Sequence, residues 1–547
     1  MVLIVLRIIL LQGFNTDCFI FNNANCKLNL SNLAEKRQID YRSIKTYRGM
    51  IYDANGEILA MSLPRKTLCI NLYKLSQTKG NNEKKYSELL KIIGLSQNKF
   101  NAILKNHSDK KEYYLKRKIE DSVAKTIFNL NLPYIYFIDE YQRVYLGGSY
   151  FSNIIGFTDI DDNGQSGIEY IKNTDLRSLP GIKKIRKDNY GRSIELLEVV
   201  KKSIPGKNII LSLDKRIQFI GYKILKKHVD KTNAESASLV LIRAKTGEIV
   251  SMINYPSFNP QNRHELRGPR IENHVLTSTF EPGSTMKPFA VYTALETDSH
   301  EIMDTINTSE GFKLENKKLY DYKDLGTLAM RGILKKSSNV GAATISTKTK
   351  KKDIYSTLSL LDFGKSLYLD WPGEQMGKLS HYSEWSSDQH ATLGYGYGLS
   401  TTLLHLANAY VILANHGRKT QLTYERKKLD EIYYDQVIDK ELSIKIIELM
   451  TSVVKEGGTA SKAKLDKYSV AGKTGTVRIN IDGKYNEYKH NALFVGIVPA
   501  SKPEYVAAVI VRNPKKGKAS GGVNAAPIFK ELMSYSMNLL KVYPDIR

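Results

Sequence analysis

The residues best placed for covalent chemistry are Ser284 and Lys287, in the stretch Glu281-Pro-Gly-Ser-Thr-Met-Lys-Pro-Phe-Ala-Val-Tyr-Thr-Ala-Leu295. A serine hydroxyl attacks a carbonyl only when a neighbouring base takes its proton, and a lysine kept neutral by burial is such a base. Pro282-Gly283 breaks whatever precedes it, and Met286, Phe289, Ala290 and Thr293-Ala294 then recur at helical spacing. That spacing predicts a helix whose first turn carries Ser284, with Lys287 three residues on and on the same face. Pro288 fits a first turn, where its missing N–H would lack an intrahelical partner anyway. A serine there sits in the positive field of a helix N-terminus.

Ser-x-x-Lys alone is a weak signal, because it also starts at Ser76, Ser96, Ser108, Ser122, Ser212, Ser452 and Ser461. A serine ahead of a helix is ordinarily an N-cap. Two further stretches change the weight of Ser284. Lys335-Lys-Ser337-Ser-Asn339-Val-Gly-Ala-Ala puts Ser-x-Asn at a predicted helix start, and Val470-Ala-Gly-Lys473-Thr474-Gly475-Thr476-Val puts Lys-Thr-Gly on a predicted strand. Singly, Ser337 and Asn339 read as caps and Lys473 as an edge-strand lysine. Together and in this order, the three motifs resemble those of the penicillin-recognising serine acyltransferases. The chemistry they imply is acylation of the protein's own serine.

The elements that must position these motifs follow from the local pattern. Ala237–Ile242 and Glu248–Ile253 flank Lys245-Thr-Gly247 as an antiparallel hairpin, and Lys473 precedes two more strands, Ala492–Val498 and Tyr505–Val511. Helices are predicted over Lys215–Val229, Leu403–Ala414, Leu442–Glu456 and Ala526–Leu540, and Gly394-Tyr-Gly-Tyr-Gly398 permits close backbone approach before the second of these. Strands at both ends of a helical middle give an α+β domain with a largely antiparallel sheet. A composition change near Asn233 sets the expected boundary, so that residues 233–547 form the catalytic domain and 22–232 a pedestal without a nucleophile–base pair. In the pedestal, Met50-Ile51 and Ile58-Leu59 flank Asp53-Ala-Asn-Gly56 as a hairpin. Thr67–Leu72 reads as a strand, Lys84–Ile93, Gln97–Leu104 and Ile119–Leu130 as helices, and Lys183–Leu196 as paired strands about Asn189-Tyr-Gly191. Ser203–Asp214 reads as one more strand.

The chain has 547 residues, 42% hydrophobic and 25% charged, which is a globular composition too long for one core. Its net charge of +25 raises nucleic acid as a partner, yet the basic residues are dispersed and no zinc-finger spacing or RNA-binding aromatic motif accompanies them. No nucleic-acid partner is expected. Attraction to anionic lipid headgroups or to an acidic cell-wall polymer fits the charge equally well. Lys348 and Lys350–Lys352 read as a solvated helix face. Cys18, Cys26 and Cys69 imply no disulfide framework, and the ten scattered histidines imply no metal site. No cofactor is expected. Met1–Leu11 is apolar except for Arg7 and covers about half of a bilayer core, which leaves two readings of residues 1–21 open, a partial signal-anchor helix and a buried amphipathic helix.

With the motifs in hand, the chain resembles the class B penicillin-binding proteins, which are peptidoglycan D,D-transpeptidases. Within them it is most similar to the septal, FtsI-type enzymes of Gram-negative bacteria (penicillin-binding protein 3). Arg48-Gly-Met-Ile-Tyr-Asp-Ala-Asn-Gly-Glu-Ile-Leu-Ala60 and Ser166-Gly-Ile-Glu169 extend the likeness into the pedestal, and Ala54 departs from the arginine usual there. The resemblance implies that Ser284 attacks the penultimate D-alanine of a stem pentapeptide and that Lys287 is the general base. It implies that Ser337 relays a proton and that Asn339 orients Lys287 and the substrate. Lys473, Thr474 and Thr476 would bind the terminal carboxylate, and Gly475 would let the substrate lie alongside as an added strand. The backbone N–H groups of Ser284 and Thr476 would form the oxyanion hole. Penicillins and other β-lactams would mimic the donor. The implied location is the inner membrane, single-pass with the catalytic domain in the periplasm. The implied partners are a septal lipid II polymerase and other divisome membrane proteins. The rival expectations are an elongation transpeptidase, a D,D-carboxypeptidase or a β-lactamase on the same fold, and a catalytically silent divisome scaffold.

Overall fold

The computed structural model describes residues 38–78, 82–188, 192–315, 318–481 and 484–546. The anchor expected at residues 1–21 lies outside them, as does the Asn189–Gly191 turn. Among the described residues no helix is long and apolar enough to cross a membrane. The chain divides into two compact units. One takes the chain to Met50 with Met61–Val144 and Asp175–Lys207, and the other takes Ile51–Ala60, Tyr145–Thr174 and Asn208–Arg547.

In the first unit, β1 (Ile39–Ile44) opens a three-stranded antiparallel sheet. Much of β2 (Ile58–Ile70) also lies here. Then follow α1 (Glu83–Ile93), α2 (Gln97–Asn106), β3 (Tyr113–Ile119), α3 (Asp121–Asn129) and β4 (Ile135–Tyr145). Leu68, Ile70, Leu89, Leu90, Ile93, Phe100 and Ile127 join in one core, which is where the amphipathic periodicity of these helices points. Strand β3 was not expected: Tyr-Tyr-Leu-Lys-Arg-Lys-Ile carries too many cations for its alternation to show in sequence. β5 (Gly181–Lys187) and β6 (Ser193–Lys201) complete the sheet in the order β1-β5-β6, and they are the strand pair expected about residue 190.

The second unit holds all the motifs that carry chemistry. Ile51–Tyr52 pairs with the start of β2 around the Asn55-Gly56 turn, as its sequence indicates. The strand expected over Ser203–Asp214 shrinks to Ile209–Ile210, and Asp214 instead caps α4 (Lys215–Thr232) through the N–H groups of Arg216 and Ile217. Next come β7 (Ser236–Arg243), β8 (Ile249–Tyr255), α5 (Lys287–Glu296), α6 (Met330–Lys336) and α7 (Asn339–Lys348). They are followed by α8 (Leu403–Ala414), α9 (Lys440–Thr451), β9 (Ala471–Ile481), β10 (Lys484–Val498), β11 (Tyr505–Arg512) and α10 (Ala526–Leu539).

The strands form one five-stranded antiparallel sheet in the order β8-β7-β11-β10-β9. The fold is therefore α+β, with the last strand of the chain, β11, at the centre of the sheet. Consecutive residues of a strand point to opposite faces. Ala237–Ile242, Ala492–Val498 and Tyr505–Val511 are buried without interruption, so both faces of the sheet are covered. α4 and α10 pack on it and on each other. α8, buried at every residue, packs against β7, β10 and β11 and against α9. β9, which carries Lys473, is an outer strand, and that leaves one edge of its backbone to face the site.

Candidate active site

Ser284 lies in a 3-10 turn, Gly283–Met286, that runs directly into α5 with Lys287 as its first residue. The tighter turn differs in detail from the expected α-helical start, and its cause is packing. Gly283 has φ +56, and a side chain there would strike Val477 of β9. Gly396, at φ +84, comes so close that an added Cβ would stand 2.0 Å from the Gly283 carbonyl oxygen, and its own carbonyl accepts the Gly283 N–H at 3.0 Å. This is the close approach that the Gly-Tyr-Gly-Tyr-Gly run allows. From below, the Tyr410 hydroxyl of α8 donates to the Thr285 carbonyl at 2.7 Å, and its ring meets Phe289 edge-on at 5.2 Å. The backbone of the turn bearing Ser284 is thus clamped on three sides. Ser284 itself is half-buried, and its hydroxyl has no protein hydrogen bond among the described residues.

Lys287 is wholly buried. Its Nζ donates to the Ser337 carbonyl at 2.5 Å and to Asn339 Oδ1 at 2.7 Å, and Ser337 Oγ lies 3.2 Å away. Ser337 Oγ in turn accepts from Lys473 Nζ at 2.9 Å. Lys473 is also wholly buried and donates to the Thr474 carbonyl at 3.2 Å. Burial pushes both ammonium groups down. Lys473 falls from 10.5 to about 7. Lys287 goes well below its ordinary value through burial and then the Lys473 charge, against the pull of Asp321. Two buried amines share one hydroxyl, and the charge on Lys473 further disfavours a charge on Lys287. Ser284, Ser337 and Asn339 are half-buried and Thr476 is exposed. The amines therefore lie beneath the hydroxyls and amide that a substrate would meet.

The Ser-x-Asn motif lies at a helix start, as expected, with Asn339 the first residue of α7, but Ser337 itself ends the preceding helix. It is the C-cap of α6 in the left-handed conformation, φ 61 and ψ 42, while Ser338 is the N-cap of α7 and takes the Gly341 N–H at 2.9 Å. A non-glycine residue costs about 1–2 kcal/mol in this region, and here that bend turns both the carbonyl and the hydroxyl of Ser337 toward the two lysines.

β9 brings Lys473, Thr474, Gly475 and Thr476 alongside the nucleophile turn. Thr474 Oγ1 bonds Thr459 Oγ1 at 2.9 Å, and Thr476 Oγ1 accepts the Gly521 N–H at 3.1 Å. A Cβ on Gly475 would meet the Pro282 carbonyl oxygen and Thr285 Cγ2 at 3.1 Å. Gly475 thus makes room for the turn bearing Ser284, a reason for glycine that the motif alone does not reveal. Sequence reasoning also missed Asp321. Its carboxylate accepts from the N–H of Asn339 at 2.5 Å and from the Ser338 hydroxyl, fixing the start of α7. Glu281, which accepts from the Gly398 N–H at 3.0 Å and the Tyr485 hydroxyl at 3.1 Å, ties the glycine-rich loop to the turn. Neither acid carries a local pattern that separates it from other surface carboxylates.

A serine at a helix start, two buried amines and an outer strand make an acyl-transfer site, and comparison with known proteins agrees. Residues 237–534 match the penicillin binding protein transpeptidase domain and residues 43–211 the penicillin-binding protein dimerisation domain. The probable peptidoglycan D,D-transpeptidase PenA of Neisseria meningitidis is 32% identical over 93% of this chain and 88% of its own length. The peptidoglycan D,D-transpeptidase FtsI of Buchnera aphidicola from Schizaphis graminum is 33% identical over 100% of this chain and 94% of its own. The crystal structure of penicillin binding protein 3 from Mycobacterium tuberculosis, complexed with aztreonam, shares the fold with a TM-score of 0.71 at 22% identity, over 92% of this chain and 98% of that one. The chain accordingly belongs to the class B penicillin-binding proteins and is a serine-type peptidoglycan D,D-transpeptidase.

Proposed function

We propose that this enzyme cross-links stem peptides of the septal wall through an acyl-enzyme on Ser284. The observation that carries the mechanism is the buried Lys287 ammonium, pushed down and held by the Ser337 carbonyl and Asn339. Neutral Lys287 takes the Ser284 proton as Oγ attacks the carbonyl of the penultimate D-alanine. The oxyanion is received by the backbone N–H groups of Ser284 and Thr476; loss of one such donor ordinarily costs about 2.7–4 kcal/mol in barrier. As the C–N bond breaks, the proton passes from Lys287 through Ser337 to the leaving D-alanine amine. Lys473, with the hydroxyls of Thr474 and Thr476, holds the terminal carboxylate, and the substrate lies along the outer edge of β9. An amine of a second stem peptide then attacks the ester, forms the cross-link and returns the proton to Ser284.

The septal assignment rests on likeness to relatives named FtsI, two of which align along the whole chain. A single-pass inner-membrane location with a periplasmic catalytic domain, and work beside a lipid II polymerase and other divisome proteins, follow from the same reading. The test has two parts. A fluorescent penicillin should form a long-lived adduct with the purified protein and none with Ser284→Ala. Ser284→Ala should also fail to complement a septation mutant. Rapid turnover of the penicillin would favour a hydrolase, rescue by Ser284→Ala a scaffold, and complementation only of an elongation mutant the elongation enzyme.

A further inference from the structure

The second unit contains a cavity of about 500 Å³ that none of the residues of the three catalytic motifs line, although Ala54 and Asn55 of the Asp53–Gly56 turn do. It opens where the turn between β7 and β8 (Arg243, Thr246, Glu248) meets the start of α4 (Asp214, Arg216), the Arg426-Lys427 segment and the end of α10. β8 and β9 are the two outer strands of the sheet, so this turn belongs to the edge away from Lys473.

Arg216, Arg243, Arg426, Lys427 and Lys541 line the cavity against two carboxylates, Asp214 and Glu248. Both carboxylates are already engaged. Asp214 accepts from Arg216 Nε at 3.0 Å, Arg216 Nη2 at 2.6 Å and Asn55 Nδ2 at 3.1 Å. Glu248 accepts from the Thr246 hydroxyl at 2.9 Å and the Lys427 N–H at 3.0 Å. Of the cations, Arg216 is taken up by Asp214 and Lys427 Nζ donates to the Gln421 carbonyl at 2.8 Å, which leaves Arg243, Arg426 and Lys541 less fully used. Arg243 Nε is buried without a hydrogen bond, with the Glu248 carboxylate 3.4 Å away and out of line, while the Tyr505 ring holds the guanidinium plane from 5.2 Å. Arg426 has one N–H on the Ala54 carbonyl and is otherwise exposed, as is Lys541. Forked, unspent N–H donors on planar guanidinium groups match carboxylates. Val250, Leu539 and Leu540 add an apolar wall that a bare inorganic anion would not use.

We propose that this cavity is a second binding site, one that takes a carboxylate-bearing peptide segment of peptidoglycan and holds it without cleaving it. The ligand class rests on the peptidoglycan reading of the active site; the charge and shape of the cavity do not. The probe is a dye-labelled stem tetrapeptide, which lacks the D-Ala-D-Ala donor, titrated into the full chain by fluorescence anisotropy. Saturable binding is expected, and it should persist after acylation with benzylpenicillin. The exposed pair Arg426→Glu with Lys541→Glu should weaken it about tenfold, with penicillin labelling and melting temperature unchanged. Absence of saturable binding, its loss on acylation, equal binding by the charge-reversed variant, or equal competition by inorganic phosphate or by an acidic peptide unrelated to the wall would each overturn the proposal. Failure of the wild type to label with penicillin would instead count against the active-site reading, and the charge-reversal comparison would still decide this one.

Discussion

The charge on Lys473 should set the alkaline limit of acylation. Burial lowers this ammonium from 10.5 to about 7. At about 1.4 kcal/mol per pH unit that amounts to roughly 5 kcal/mol against carrying the charge. Near neutrality the free enzyme is therefore divided between a charged form able to grip a substrate carboxylate and a neutral form that is not. The second-order rate constant for acylation by a penicillin reports ionisations of the free enzyme. It should rise as Lys287 loses its proton and fall about tenfold per pH unit above the Lys473 value, with both limbs belonging to the coupled pair rather than to either lysine alone. Stopped-flow acylation with a fluorescent penicillin between pH 5 and 10 is the assay, and Lys473→Arg, charged throughout, should lose the falling limb. The same shift is a stability statement. Between about 7 and 10.5 the unfolded chain keeps a proton that the folded lysine has released, so stability rises with pH across that window. Lys473→Met should thus melt higher than wild type at pH 6, by an amount equivalent to about 3 kcal/mol once two hydrogen bonds of about 1 kcal/mol each are deducted, and the gain should vanish toward pH 10. An acylation constant that climbs steadily to pH 9.5, or a falling limb unchanged in Lys473→Arg, would refute the reasoning.

Asp321→Asn removes the one charge that favours the protonated form of Lys287, so the rising limb should shift to lower pH; losing the charged cap of α7 should also cost about 1–2 kcal/mol, read from denaturant melts. Gly475→Ala drives a Cβ against the nucleophile turn and should cost about 1–3 kcal/mol of overpacking, with penicillin acylation slowed more than tenfold because Ser284 moves with the turn. Tyr410→Phe leaves the Thr285 carbonyl without its buried donor; stability should drop by about 1–3 kcal/mol, and acylation should slow while the pH profile stays in place.

The parts of the fold that were legible are those whose cause is local. The β7–β8 hairpin follows from two apolar runs about Lys245-Thr-Gly247, and α8 appears with the bounds its apolar run indicates. Ser284 and Lys287 keep the three-residue spacing that a helical or 3-10 turn preserves alike, so the change of turn type did not disturb the inference. What sequence could not show is set by contacts across long separations. Ser337 adopts a left-handed bend because its carbonyl and hydroxyl serve two lysines brought in from α5 and β9. Gly475 is glycine because a distant turn presses on it, and Asp321 matters only because α7 begins beside it. The motifs name the atoms proposed to react, whereas the turn type, the bend and the hidden carboxylate decide how those atoms are held. Of the two, it is the holding that sets the protonation of the amines. A chain with all three motifs intact but no burial of Lys287 would keep an ordinary lysine, charged at neutral pH, and the base proposed for Ser284 would be lost.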